Sequence, residues 1–193
     1  LNKAIYTTLV FVLLVTTCRQ ATVPRPKGYF RIDLPKKKYV EFNFPESGVP
    51  VTFEYPEYGK LAFNQEYANE KGWFNIEFPA YKAKIYMTYK SVKDFPELME
   101  ETYRMNVKNH IAKADAIKEQ EIINKENKVF GILYDLKGNT ASAVQFYVTD
   151  SAKNYLRGSL YFAAEPAADS LAPVIDFFRK DILHIIETLK WEK

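Results

Sequence analysis

"VFGILYDLKGNTASAVQFYVTDSAKNYLRGSLYFA", residues 129–163, is the stretch whose reading decides the fold. Its apolar and aromatic side chains fall into three runs, Val129–Leu136, Thr140–Thr149 and Tyr155–Ala163, parted by the polar connections KGN and DSAKN. Runs of this length bounded by turn-forming residues predict strands, and connections this short predict successive antiparallel hairpins. A fourth run, Ile117–Ile123, joins the series across the turn NKEN.

Working toward the N-terminus, the same alternation recurs. In "VTFEY", Val51, Phe53 and Tyr55 share one face while Thr52 and Glu54 take the other. Phe74, Ile76 and Phe78 do so in "WFNIEFP", as do Ala83, Ile85, Met87 and Tyr89 in "AKIYMTY". Period-two patterns rich in aromatic residues mean half-buried strands. Between these strands and the hairpins the period changes. Asp94, with Pro96 in the first turn and Glu97 three residues on, is a helix start of the capping-box kind. Leu98, Met99, Thr102, Tyr103, Met105 and Val107 can supply that helix with an apolar side. Beyond the hairpins, "DSLAPVIDFFRKDILHIIETLKW" repeats Leu171, Val174, Ile175, Phe178, Ile182, Ile185, Ile186 and Leu189 at helical spacing, a wide apolar face that must cover a sheet. The expected architecture is α+β: a largely antiparallel β-sheet flanked by helices.

The N-terminal forty residues have another character. Ala4–Val15 carries no charge and is too short to cross the ~30 Å hydrocarbon core, but it suits the apolar region of a signal peptide. The chain's one cysteine, Cys18, follows at once. A cysteine there resembles the lipobox of bacterial lipoproteins, in which the peptidase cuts before a cysteine whose sulfur carries the lipid. The expected organisation is therefore a signal peptide over 1–17, a lipidated Cys18 with a basic, proline-containing tether over 18–40, and one globular domain over 41–193. The tether carries seven basic side chains against Asp33 alone, whereas residues 41–193 carry 19 basic and 23 acidic ones. A basic leash beside an acylated cysteine suits anionic head groups, and equally a plain solvated linker.

Signs of chemistry are sparse. The two histidines, His110 and His184, fall on different expected helices, and the cysteine is committed to lipid, so no metal cluster and no thiolate site is expected. No phosphate-cradling, dinucleotide or nucleophile-elbow motif occurs, which implies no cofactor. Glu100 and Glu101 are adjacent on a helix, point in two directions and read as a solvated face. Asp135, Asp150 and Arg157 lie near strand ends, where a carboxylate–guanidinium pair would be architectural. His184 reads as a satisfied helix-border residue. Nucleic acid is disfavoured for an exported chain with an acidic body. The turn at Lys137, Gly138 and Asn139 projects from a rigid hairpin and is the candidate partner-binding surface, with a plain solvated turn as the alternative.

Several stretches together resemble a known family: "PKGYFRIDLP" (26–35), "FEYPEY" (53–58), "WFNIEFP" (73–79), "VFGILYDLKGNTASAVQFYVTDS" (129–151), "LRGSLYF" (156–162) and "DSLAPVIDFFRKDILHIIETLKW" (169–191). They are similar to the gliding-motility lipoprotein GldD family of Bacteroidetes. The resemblance implies a non-enzymatic envelope lipoprotein, an accessory or assembly component of the gliding and type IX secretion machinery, with Cys18 where that family carries its lipid. It implies a membrane and protein components of that complex as partners. The element order also looks like a Mog1/PsbP-like layered sandwich. Since "RQAT" after the cysteine lacks the acidic run of a surface-export signal, the domain is expected to face the periplasm, from the outer membrane. A small-ligand or glycan-binding lipoprotein is the alternative, because an aromatic-rich sheet can line a pocket.

Overall fold

The computed structural model describes residues 31–43, 49–63, 72–164 and 168–192. The expected signal peptide, Cys18 and most of the expected tether lie outside them. The compact unit spans Ile32–Lys193, so residues 32–40, assigned to the tether from sequence, fall inside it.

The strands are β1 (Tyr39–Asn43), β2 (Val51–Pro56), β3 (Lys60–Ala62), β4 (Trp73–Phe78) and β5 (Ala83–Ser91), then β6 (Ala116–Asn124), β7 (Val129–Lys137), β8 (Ser142–Thr149), β9 (Asn154–Phe162) and β10 (Lys190–Trp191). Helix α1 (Phe95–Tyr103) follows β5 and runs into a π-helical turn, Arg104–Lys108, while α2 (Ala168–Thr188) precedes β10. Seven strands form one sheet in the order β3-β4-β5-β9-β8-β7-β6, and β1-β2-β10 form a second. Every pairing is antiparallel. After β5 the chain crosses through α1 to the far edge and returns by the β6–β9 meander, so β9 closes against β5 with Met87 opposite Gly158. The α+β class, the hairpin series and both helices stand as the sequence implied.

One face of the large sheet carries the core. Phe74, Ile76, Phe78, Ile85, Met87, Phe146, Leu156 and Leu160 meet Phe42, Val51 and Phe53 of the small sheet and Val174, Phe178, Ile182, Ile185 and Ile186 of α2. Of the period-two positions identified by sequence, Val51, Phe53, Phe74, Ile76, Phe78, Ala83, Ile85 and Met87 are buried and Tyr55 and Tyr89 half-buried, because a strand side chain must face either core or solvent. Gly158 sits where that packing is tightest: a Cβ there would lie 2.2 Å from the Phe146 ring.

The opposite face is partly covered by α1 and its π turn, through Val107 against Tyr134 and Leu136. Helix α1 starts as expected, with the Asp94 carboxylate accepting from the Glu97 N–H at 3.1 Å, a cap worth ~1 kcal/mol. Its inner side differs from expectation. Tyr103 is 48% exposed, and Asn106 is buried in the stripe that the apolar residues were to fill. Leu98, Thr102 and Asn106 follow one another at four-residue spacing, so the buried stripe of α1 runs on into the π turn with a polar residue in it, and Tyr103 falls to the outer side.

Lys37 departs furthest from its sequence reading. Instead of lining a solvated leash, its ammonium donates to the fully buried Asp181 of α2 at 2.6 Å and to the Phe177 carbonyl at 2.9 Å, and lies 3.3 Å from the Phe177 ring centre. The hydroxyls of Tyr39 and Tyr58 also donate to Asp181, at 3.0 and 2.6 Å. Burial pushes the Lys37 ammonium below its usual range, while burial and the Asp181 carboxylate push both phenols well above theirs.

Burial is likewise the largest cause that raises Tyr89, Tyr134 and Tyr147, and it lifts Tyr155 to about 12. A phenol whose pKa rises on folding stabilises the native state fully below its unfolded value of 10.0, and loses that contribution as pH climbs through the folded value. An alkaline titration should therefore show tyrosinate absorbance growing in two phases, the second coinciding with loss of circular dichroism above pH ~10. A single phase complete before any unfolding would mean that these phenols are solvated.

Candidate functional site

Alternation along β9 turns Leu156, Gly158 and Leu160 toward the core and Arg157, Ser159 and Tyr161 toward the opposite face. There the π turn stands over the sheet. The Arg157 guanidinium donates from Nε to Asn106 Oδ1 at 2.9 Å and from Nη2 to Gln145 Oε1 at 3.1 Å, and Nη1 lies 3.7 Å from Met105 Sδ. All three partners are neutral. Gln145, fully buried on β8, is oriented by that contact, so its amide N–H must donate to His110 Nε2 at 2.9 Å. An imidazole that accepts at Nε2 carries its proton on Nδ1. Burial first, then Arg157 and Lys113, lowers the His110 pKa and keeps the ring neutral.

Arg157, Met105 and His110 line a pocket of about 400 Å³. Tyr86 and Thr88 of β5 and Tyr161 of β9 make its sheet wall, with Met105, Asn109 and His110 on the helical side. Tyr86 and Tyr161 meet edge to face at 5.4 Å and 87°. Among the described residues two buried polar atoms lack a hydrogen-bond partner, Asn106 Nδ2 and Ser159 Oγ, and Ser159 lines the pocket. A larger groove of about 550 Å³ lies between α2 and the β6–β7 turn, where Glu121, Lys125, Glu126 and Glu187 are all exposed.

The structure distributes the residues singled out by sequence. Asp135 does not pair with Arg157; it takes a two-pronged bond from Arg179 of α2, at 2.7 and 2.9 Å. The sequence could not anticipate this, because Arg179 is 44 residues away on another layer. Asp150 organises the β8–β9 turn: burial alone would raise its carboxyl, but N–H groups of Asn154, Ala152 and Lys153 outweigh that and hold it below the usual range. Glu100 is exposed, as expected, whereas Glu101 pairs with Lys90 of β5 at 2.8 Å. His184 meets Glu54 at 2.7 Å and stacks on Tyr39 at 3.6 Å. In the β7–β8 turn Lys137 and Asn139 are exposed, and Gly138 takes φ +95 with its Cα hydrogens close against Asp115, a conformation that favours glycine. None of these residues lines the Arg157 pocket. Cys18 is outside the described residues. Among the described residues no three His, Cys, Asp or Glu side chains converge on a point, and no helix is long and apolar enough to cross a membrane.

Sequence reasoning missed Asn106, Gln145 and Ser159. A signal existed in Asn106, a polar residue between Met105 and Val107 in the inward stripe of a helix.

Fold and pocket together define a class: a layered α+β domain, antiparallel throughout, whose outer sheet face carries a pocket built around one guanidinium. The family model described as gliding motility lipoprotein GldD matches residues 19–191, and the chain belongs to that family. Membership makes it a lipoprotein associated with gliding motility and with the cell envelope. Among solved structures, the solution structure of cyanobacterial PsbP (CyanoP) from Synechocystis sp. PCC 6803 is similar at 9% identity and a TM-score of 0.46, over 84% of this chain and 97% of that one. Comparison with curated proteins finds no match.

Proposed function

We propose that the chain is a non-enzymatic accessory or assembly component of the gliding and type IX secretion machinery, tethered by lipid on Cys18 to the periplasmic side of the outer membrane. The family match over residues 19–191 is the observation that carries this reading. The chemistry agrees with it. His184, Asp135, Asp150 and Glu101 each serve a structural contact, and none is poised beside a nucleophile. Function then rests on a surface. The exposed turn at Lys137, Gly138 and Asn139 is the proposed docking point for a protein of that complex, since a rigid hairpin presents it.

Complementation of a deletion strain tests the reading. His184→Ala and Glu100→Ala should restore gliding and secretion wherever the protein accumulates, whereas Cys18→Ser should lose membrane attachment and both activities. Substituting Lys137 and Asn139 together by alanine should abolish both while leaving the protein membrane-bound. A stable, membrane-bound but inactive His184→Ala or Glu100→Ala variant would overturn the non-enzymatic reading. Digestion of the domain by protease on intact cells would overturn the periplasmic placement. The second reading, a ligand-binding lipoprotein, is favoured by the Arg157 pocket with its converging polar groups.

A further inference from the structure

We propose that the pocket under the π turn is a carboxylate-binding site, centred on Arg157, for a small ring-bearing organic acid. This goes beyond the accessory role and does not depend on it.

The first reason is charge. Taking a guanidinium partly out of water is costly unless an anion compensates it. Arg157 has no such anion; its partners are an amide oxygen of Asn106, an amide oxygen of Gln145 and the thioether of Met105. These neutral groups fix the plane of the fork without cancelling its charge. They engage Nε–H and one N–H on each terminal nitrogen. One N–H on each of Nη1 and Nη2 is left to donate, and a carboxylate is the acceptor that suits a guanidinium.

The second reason is an independent polar atom. Ser159 is only 4% exposed, its hydroxyl has no partner, and it lines the same pocket. Buried hydroxyls are normally bonded, because leaving one unmade forfeits its hydration. The neutral His110 ring lines the pocket without adding charge.

The charge also sets the ligand. Among the described residues that line the pocket, Arg157 is the cation, since His110 is kept neutral, and the nearby Lys84, 5.3 Å from the Tyr86 ring centre, is paired with Glu77. That matches a singly charged anion better than a phosphate. Beside it, Tyr86 is 47% exposed and braced edge-on by Tyr161. Such a wall suits a ring lying flat on the Tyr86 face. The volume of about 400 Å³ lies within the ~300–1,000 Å³ range of small-molecule sites.

Titration calorimetry on the full-length protein in detergent decides the matter, with glucuronate and benzoate as probes and glucose and sulfate as controls. One acid or both should bind with Kd below ~1 mM, and glucose should not. Glucuronate alone points to a sugar acid, benzoate alone to an aromatic one. Arg157→Lys keeps the charge but loses the fork, and should weaken binding about tenfold. Tyr86→Ala, at an exposed position, and Ser159→Ala should each weaken it about fivefold. Ser159→Ala should also leave the melting temperature unchanged or raised, which a structural hydroxyl would not allow. No heat from either acid would overturn the proposal. So would glucose or sulfate binding as tightly as the acids, or unchanged affinity in Tyr86→Ala and Ser159→Ala.

Discussion

Asp181→Ala is expected to destabilise the domain by about 3–5 kcal/mol, the cost of breaking a buried ion pair by removing one partner. Asp181 is fully buried and holds the Lys37 ammonium and the phenols of Tyr39 and Tyr58. Its loss leaves two hydroxyls without an acceptor and a cation whose side chain is only 29% exposed. Lys37→Met should cost less, about 1–3 kcal/mol, because Asp181 keeps both phenol donors. Urea unfolding of the two single variants and the double variant measures the coupling directly. Additive losses, or a loss below ~1 kcal/mol for Asp181→Ala, would mean that the cluster does not clamp β1 to α2.

That cluster marks where the sequence stops being legible. The triple lysine at 36–38 reads as solvated charge, and local pattern offers no reason to bury one of them. The reason is 144 residues away, at an aspartate on the inward side of α2. Strand β1 was invisible for the same cause: it is defined by pairing with β2 and by the Asp181 contacts. Strands β3 and β10, of 3 and 2 residues, are too short to show any period. In contrast, Val51–Tyr55 and Phe74–Phe78 alternate in sequence, and Val51, Phe53, Phe74, Ile76 and Phe78 are buried. The 129–163 hairpins were legible from their turns rather than from a period, since β8 is buried on both faces for most of its length and shifts register between Ser142 and Val144. Where one face of a strand must be dry, the period is the fold.

The pocket was legible only in part. Arg157 was singled out, but as half of an ion pair with a carboxylate. A guanidinium in sequence suggests a carboxylate in structure, and Asp135 and Asp150 were the near candidates. Asp135 is taken by Arg179, and Asp150 is spent on backbone N–H groups of its own turn. What reaches Arg157 is Asn106, which continues the buried stripe of Leu98 and Thr102 at four-residue spacing into the π-helical turn. Local helical distortion of this kind recurs at functional sites. Here the turn carries Asn106 and Met105, which meet the fork from the helical side while Gln145 meets it from the sheet.

The second large effect is expected in α2. Phe178 is fully buried, with Phe78 of β4 at 4.5 Å, Phe162 of β9 at 6.2 Å and Tyr81 at 5.7 Å from its ring centre. Phe178→Ala removes the ring from a core that cannot collapse around it, because Phe78 and Phe162 belong to strands held in register. The expected loss is ~3–5 kcal/mol, a large share of the ~5–15 kcal/mol that stabilises a domain. Ile182→Ala, one turn on in the same stripe, should cost ~2–5 kcal/mol. Lys180 lies between them in sequence and is exposed; Lys180→Ala should stay within ~0.5 kcal/mol of the parent. Thermal melting of the three variants separates the possibilities. A steep drop for Phe178 and Ile182 with none for Lys180 makes α2 the lid of the core. Small and equal shifts would place the stability of the domain in the sheets alone, and the lid would be dispensable.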